Sequence, residues 1–350
     1  MMTKDHRILV ATLSISIALA ALFVDTASAE ERIQPWEKKG RILAPGFAGN
    51  RSAHVLSAPC VIKLKSGRLR MYFWAVGQGG HSLFAAEASR NDPIQWKLIN
   101  EKPLLVADTS NNIRSQGPSF PWVVPREDAP WLLYYCAWGT WAPPGELPNR
   151  TSLAISEDQG LTWKVTKEPL LPLGPPGSFD AGITGSVCVL RLASSDYRMW
   201  YTAGERYELI EGSKRGIVHL GYATSKDGVE WQRHPKPLLS PRLGKVEPFE
   251  AVVSKPSVLK LDGTYHMWFS VYKMKGKGYR LEYASSKDGV NWQRAFDKEL
   301  MPLTPDGFDS VNQSYPNVIE VEDELWMFYV GNNFGSTGIG WATMKKSALK

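Results

Sequence analysis

Cysteine is scarce in this chain. There are three, Cys60, Cys136 and Cys188, each inside a stretch that reads as a strand. Three thiols are too few for a disulfide framework, and one must stay unpaired whatever the other two do. Buried free thiols are the first expectation, with a single disulfide left open. No Cys-x-x-Cys and no histidine-rich tract occurs, so neither a structural metal nor another cofactor is expected. Long apolar runs are missing after the first thirty residues. Before that point Lys4 and Arg7 precede an apolar run from Ile8 to Val24, and Ala27-Ser28-Ala29 follows. This is the pattern of a secretory signal peptide, 1–29, cut before Glu30. The run is short for a membrane span and contains Ser14 and Ser16. The mature chain, 30–350, is expected to be one exported domain, secreted or periplasmic, with no membrane span. Basic clusters are lacking too. The formal charge of +6 is dispersed, which argues against nucleic acid as a partner. A polyanionic glycan drawn in by long-range attraction stays open.

What the chain does have is turns and aromatics: 24 proline, 30 glycine and 11% aromatic residues, a balance that suits an all-β protein. One stretch sets the pattern, from Phe249 to Trp292. An aromatic–acid pair, Phe249-Glu250, is followed by a strand pattern over Lys255 to Leu261. Asp262-Gly263 then turns into a second strand, Thr264 to Ser270. A third strand, Tyr279 to Ser285, ends in the turn Lys287-Asp288-Gly289 before Trp292. Alternating apolar residues rich in β-branched and aromatic types mark half-buried strands, and Asp-Gly tolerates the positive φ of a hairpin turn.

The stretch recurs. The turn reads SEDQGLTW at 156–163, SKDGVEW at 225–231 and SKDGVNW at 286–292, with a degenerate SRNDPIQW ending at Trp96. The second strand appears five times, near Met71, Tyr134, Met199, Met267 and Met327. Four strands repeated every 60–70 residues or so predict a β-propeller of five four-stranded antiparallel blades. The last unit stops after its third strand, at GIGWATMKK. The segment PWEKKGRILAPGF at 35–47 resembles the fourth-strand-plus-linker pattern of 163–179 and 292–308. The strand after Trp36 is therefore expected to complete the last blade and close the ring, which removes two open sheet edges.

The repeat, the SKDGxxW turns and the strand starts that follow Phe-Asp or Phe-Glu resemble the five-bladed propeller glycoside hydrolases of families 43 and 32, with the family 130 phosphorylases nearby. The resemblance spans nearly the whole mature chain. SEDQGLTW also matches the Asp box of sialidases, but sialidases have six blades, and the motif is read as a turn whose Asp caps backbone amides. The resemblance implies a carbohydrate substrate and carboxylates facing a central funnel. In family 43 an acid stands directly before the proline of the inner strand. Here the positions assigned to that place, Ala58, Gly117, Gly185, Lys255 and Tyr315, hold no acid.

The acids that do recur lie a few residues earlier: Asp180, Glu250 and Asp309, in three successive units. Glycoside cleavage needs one protonated carboxyl and one carboxylate roughly 5–9.5 Å apart. A third negative charge nearby raises the acid's pKa. Glu250 is expected as general acid, Asp180 as base or nucleophile, and Asp309 as modulator. The alternative is that Phe-Asp/Glu anchors each linker. Substrate contacts are expected from Arg51, His54, Arg114, Gln116, Glu247, Lys255, Asn312, Gln313 and Tyr315 near the inner-strand starts, from Glu205 after the second strand of the third unit, and from Trp138 in the Trp- and Pro-rich insertion 138–150. Three functions stay open: a glycosidase, a glycan-binding propeller without catalysis, and a phosphorylase or transferase with a basic phosphate site. A monomer is expected.

Overall fold

A computed structural model describes residues 36–140, 149–210, 213–243, 249–274, 278–295 and 300–349. The proposed signal peptide, Glu247 and most of the 138–150 insertion lie outside them. Among the described residues there is no α-helix, and no helix long and apolar enough to cross a membrane.

The first strand, β1 (Glu37–Leu43), is used last. Unit one comprises β2 (Val55–Lys63), β3 (Arg68–Gly77), β4 (Gly80–Ser89) and β5 (Asp92–Leu98), with β6 (Leu105–Val106) also on β4. Unit two comprises β7 (Gly117–Val124), β8 (Trp131–Trp138), β9 (Asn149–Ser156) and β10 (Lys164–Leu171). Unit three comprises β11 (Ile183–Ala193), β12 (Asp196–Ile210), β13 (Ser213–Ser225) and β14 (Gln232–Arg233). Unit four comprises β15 (Glu250–Leu261), β16 (Thr264–Lys273), β17 (Gly278–Ser286) and β18 (Gln293–Arg294), and one parallel pairing, Val218 with Val252, joins it to unit three. Unit five comprises β19 (Ser314–Val321), β20 (Glu324–Val330) and β21 (Ile339–Lys345), and β1 lies antiparallel on β21 as its fourth strand. Every unit is an antiparallel sheet in chain order.

The units stack face to face, which explains the strand sequences. The inner and second strands are covered on both faces, so β7 is buried throughout and β8 is buried up to Trp138. Such strands read as continuous apolar runs. Fourth strands face water and alternate, as β1 and β10 do. The repeated second-strand motif meets the repeated turn of the next unit. Tyr72 Oη–H donates to Gly160 O at 3.2 Å, Tyr134 Oη–H to Gly228 O at 2.7 Å, and Trp200 Nε1–H to Gly289 O at 2.9 Å. Within those turns the Asp caps amides: Asp288 Oδ1 accepts Val290 N–H and Asn291 N–H, both at 2.8 Å.

Along the inner strands a second set of bonds links each unit to the next and the last to the first. Val123 N–H reaches Cys60 Sγ, Trp122 Nε1–H reaches Val189 O, Val258 N–H reaches Cys188 Sγ, Val318 N–H reaches Ser257 Oγ, and Val61 N–H reaches Asn317 Oδ1. The cysteines are free and serve as buried acceptors in this network. Burial raises their pKa values, to about 11 for Cys60 and about 12 for Cys188.

Each inner strand also carries one left-handed residue at a bulge: Ala58 (φ 48°), Phe120 (48°), Ser186 (44°), Lys255 (46°) and Tyr315 (54°). This corrects two sequence assignments. The pre-proline place in units two and three belongs to Phe120 and Ser186, not Gly117 and Gly185. It also moves the start of the inner strand of unit four, which begins at Glu250 rather than Lys255, because the bulge breaks the alternation. Neighbouring side chains hold the bulged amides: Lys255 N–H donates to Thr202 Oγ1 at 3.0 Å and Tyr315 N–H to Ser270 Oγ at 2.7 Å.

If β1 is an integral strand, deleting residues 36–45 should lower the melting temperature of the whole domain. It would strip unit five of its outer strand and leave Asp309 buried without Lys38, a loss of about 3 kcal/mol from the broken pair alone. Calorimetry showing an unchanged single transition would rule this out.

Candidate active site

The three recurring acids do not come together. Asp180 is 3% exposed and accepts hydrogen bonds from Tyr201 Oη at 3.0 Å, Arg233 Nη1 at 3.2 Å and Ser178 Oγ at 2.8 Å. Asp309 is fully buried and accepts from Lys38 Nζ at 2.8 Å, Tyr329 Oη at 3.1 Å and Gln313 Nε2 at 2.9 Å. Glu250 is fully buried and accepts from Arg242 Nε and Arg294 Nη2, both at 2.8 Å. Arg233, Arg294 and Lys38 each sit on the fourth strand of the same unit as their acid. A fourth strand lies about 14 Å from the first, three strand spacings away. The carboxylates therefore point outward within their own units. The expectation of a convergent acid, base and modulator gives way to the linker-anchoring alternative.

The electrostatics agree. Burial pushes the Glu250 carboxyl up, but the Arg242 and Arg294 guanidiniums outweigh it and hold the pKa below the ordinary value. Asp309 behaves alike, with burial opposed by Lys38 and other donors. A carboxylate held ionised is no proton donor at neutral pH. Glu282 belongs to the same cluster, 2.6 Å from Arg294 and 3.1 Å from Lys273.

The other expected residues fall into three groups. Some are used within the fold. Arg114 donates to Glu168 at 2.8 Å and Asp108 at 3.1 Å, Gln313 caps Pro302 O and Asp309, and Asn312 Oδ1 accepts Tyr279 N–H at 2.7 Å. Others stand at the rim where the inner strands begin. His54 and Gln116 are exposed there, and Arg51 lies in a short 3-10 turn, Gly49–Ser52, with its guanidinium against Gly79. Glu205 is half-buried inside β12, next to Gly204, which pairs with the first residue of the inner strand, Ile183. The third group meets near the axis. Lys255 is fully buried, its Nζ has no hydrogen-bond partner among the described residues and lies 4.8 Å from the Trp122 ring centre, and burial lowers its pKa. It is a buried amine stacked on an aromatic ring.

Tyr315 and Trp138 belong to an aromatic row that no sequence pattern announces. Ring centres run from Trp138 to His81 (5.6 Å), Trp74 (5.2 Å), Phe120 (5.3 Å), Tyr315 (5.0 Å) and Tyr279 (5.7 Å). These residues come from units one, two, four and five, all at the end where inner strands begin and second strands finish. Burial holds the His81 imidazole neutral, with a pKa of about 4. Phe120 had a readable signal: it precedes Pro121 as Tyr315 precedes Pro316. Trp74 and Tyr279 had none, because their meeting is purely tertiary. Aromatic faces among hydroxyl and amide groups are what a sugar-binding surface requires.

A cavity of about 930 Å³ lies at the other end and is lined by Lys345, Lys346, Asp323 and Glu320 among others. Those charges pair with one another at the surface, Lys345 with Asp323 at 3.0 Å and Lys346 with Glu320 at 2.6 Å. The cleft is also lined by His266, Tyr283 and Arg294, the last paired with Glu250 and Glu282. No cluster of His, Cys, Asp and Glu fit for a metal ion occurs among the described residues.

The fold is that of known glycoside hydrolases. A protein solved as a complex with RGII superposes with a TM-score of 0.70 at 18% identity, over 90% of this chain and 93% of that protein. A thermostable family-43 glycoside hydrolase gives 0.62 at 18%, over 83% and 89%. Among relatives in sequence, an uncharacterized protein of Mycobacterium tuberculosis is 26% identical over 89% of this chain and 99% of its own length. A 1,2-beta-oligomannan phosphorylase of Thermoanaerobacter is 30% identical over 124 residues, 32% of this chain and 41% of the phosphorylase. No family model matches.

Glu250→Gln should act on stability rather than on turnover. Removing the charge leaves Arg242 and Arg294 short of a partner, at a cost of about 3 kcal/mol. Because the folded pKa values of Glu250 and Asp309 are lowered, their stabilisation is present above the unfolded value near 4 and is lost as pH falls through the folded values. Denaturant titrations from pH 7 to pH 3 should show a shallower acid-side decline in Glu250→Gln than in the wild type.

Proposed function

We propose that the five units are blades of one closed β-propeller, completed by β1, and that the protein binds and hydrolyses a glycan at the aromatic end. The aromatic row across four units carries this reading: Trp138, His81 and Tyr279 are partly exposed at its two ends, and Trp74, Phe120 and Tyr315 are buried between them. Kinship in fold with glycoside hydrolases supports it. Glu205 is the candidate proton donor on its position in the fold. It stands half-buried at the entry level of the inner strand of unit three, on the long β12–β13 hairpin.

The local similarity to a phosphorylase favours a second reading, transfer of the glycosyl group to phosphate. The two differ in product, a free sugar or a sugar phosphate. Incubation with a panel of oligosaccharides that includes β-1,2-mannooligosaccharides and RGII, with and without inorganic phosphate, separates them. Hydrolysis predicts phosphate-independent release of reducing sugar. Glu205→Gln should reduce that rate by about 10²–10⁴ with binding retained. Wild-type-like turnover in Glu205→Gln would remove it as the acid.

Export is part of the same proposal, because a polymeric glycan is met outside the cytoplasm. Mass spectrometry of the product secreted by a host cell should give an N-terminus at Glu30. An intact Met1 in the membrane fraction would contradict it.

A further inference from the structure

Phe334 is a large aromatic left 52% exposed at the aromatic end. It sits in the connection between β20 and β21, in the short turn Asn333–Gly335. Its backbone is left-handed, φ 59° and ψ 21°, and Asn333 (48°) and Gly335 (104°) beside it also have positive φ. Bulky residues avoid this conformation, and glycine adopts it freely. The surroundings impose it. Asn332 Oδ1 accepts Val311 N–H at 2.8 Å and Asn312 N–H at 2.9 Å, and Asn332 Nδ2 donates to Ser310 Oγ at 3.0 Å. A Cβ on Gly335 would stand 2.2 Å from Leu56 O, so the turn is wedged against the inner strand of unit one. On the other side the Phe334 ring lies 5.9 Å from Tyr279, the last ring of the aromatic row.

Folding gives this ring only the edge contact with Tyr279. Half its surface stays in water, and glycine would relieve the backbone. A ring fixed in an unfavourable conformation at the open end of an aromatic row fits a ligand that covers it.

We propose that Phe334 is a stacking residue for the C–H face of an uncharged sugar ring, belonging to a glycan that crosses the aromatic end. The proposal rests on the glycan reading above. An uncharged ring is favoured because the nearby cation, Arg280, spends Nη1 on Tyr279 O at 2.8 Å and Val311 O at 2.7 Å. Exposed Val311 beside it adds apolar rather than charged surface.

The test compares wild type, Phe334→Gly and Phe334→Trp by calorimetric titration and thermal melting. Ligands are a neutral oligosaccharide bound by the wild type and a uronic-acid-containing one of the same length. Phe334→Gly should bind the neutral ligand about tenfold to a hundredfold more weakly, with a melting temperature equal to or above wild type. Phe334→Trp should bind within a few-fold of wild type. Equal binding by Phe334→Gly overturns the stacking role while leaving the glycan reading intact. A fall in its melting temperature makes the ring structural and also overturns the role. Tighter binding of the acidic ligand overturns the choice of an uncharged ring. If no oligosaccharide of the panel binds the wild type, or only a protein partner binds through Phe334, the glycan reading itself fails.

Discussion

A carboxylate shut away from water has to be given a cation, and in this molecule that requirement ties the inner edge of a unit to its outer edge. Asp309 takes Lys38, Glu250 takes Arg294 and Asp180 takes Arg233, each cation lying on the fourth strand of the same unit. Unit two reverses the signs: Arg114 is on the linker and Glu168 on the fourth strand, 2.8 Å apart. A second-strand tyrosine completes three of the four sites, Tyr135, Tyr201 and Tyr329. In unit four the equivalent residue is Phe269, whose ring lies 5.4 Å from the Arg294 guanidinium. Such pairs add little over a well-packed apolar core but are costly to break, so they act as a device for register. Each fixes where the chain leaves one unit and enters the inner strand of the next. Unit one has Ala48 at that place and uses a ring contact instead, Phe47 with Phe73 at 6.1 Å.

Once each linker is pinned, the inner strands must fit around a crowded axis. The five left-handed bulges and the bonds between neighbouring inner strands are the answer to that crowding. Left-handed non-glycine residues cost on the order of 1–3 kcal/mol each and persist where their surroundings over-determine them. Here a side chain of the preceding unit accepts the bulged amide in units three, four and five: Cys136, Thr202 and Ser270. The scarce cysteines thus have a use that neither a disulfide nor a metal would reveal. They are small, apolar acceptors in places where water cannot enter.

Much of this architecture could be read from the residues. The repeated second strand, the SKDGxxW turn and the pairing of the segment after Trp36 with the last unit all carry their signals locally, in period and turn chemistry. The partners of the acids were legible as well. Trp36-Glu37-Lys38, Trp231-Gln232-Arg233 and Trp292-Gln293-Arg294 place a cation two residues after each fourth-strand tryptophan, in the three units that have an acid after Phe. Read together, the two patterns turn a supposed catalytic set into latches. The site was less legible. Trp138, His81, Trp74, Phe120, Tyr315 and Tyr279 come from four units, and no spacing within one chain segment encodes their meeting. Glu205 looked like a residue beyond its strand because the β12–β13 hairpin outruns the repeat, with β12 continuing to Ile210.

The axis itself constrains where chemistry can occur. In the family-43 pattern a carboxylate stands before the inner-strand proline and faces the centre. Here that ring of positions holds Ala58, Phe120, Ser186, Lys255 and Tyr315, and Phe120 and Tyr315 meet at 5.0 Å. Lys255 is buried against Trp122, its amine without a hydrogen-bond partner among the described residues. Beyond the aromatic row at this end lie the connections between second and third strands. Those connections carry the features that break the repeat, the long β12–β13 hairpin in unit three and the left-handed Phe334 turn in unit five. The repeat builds a rigid support, and the departures from it are gathered at its aromatic end.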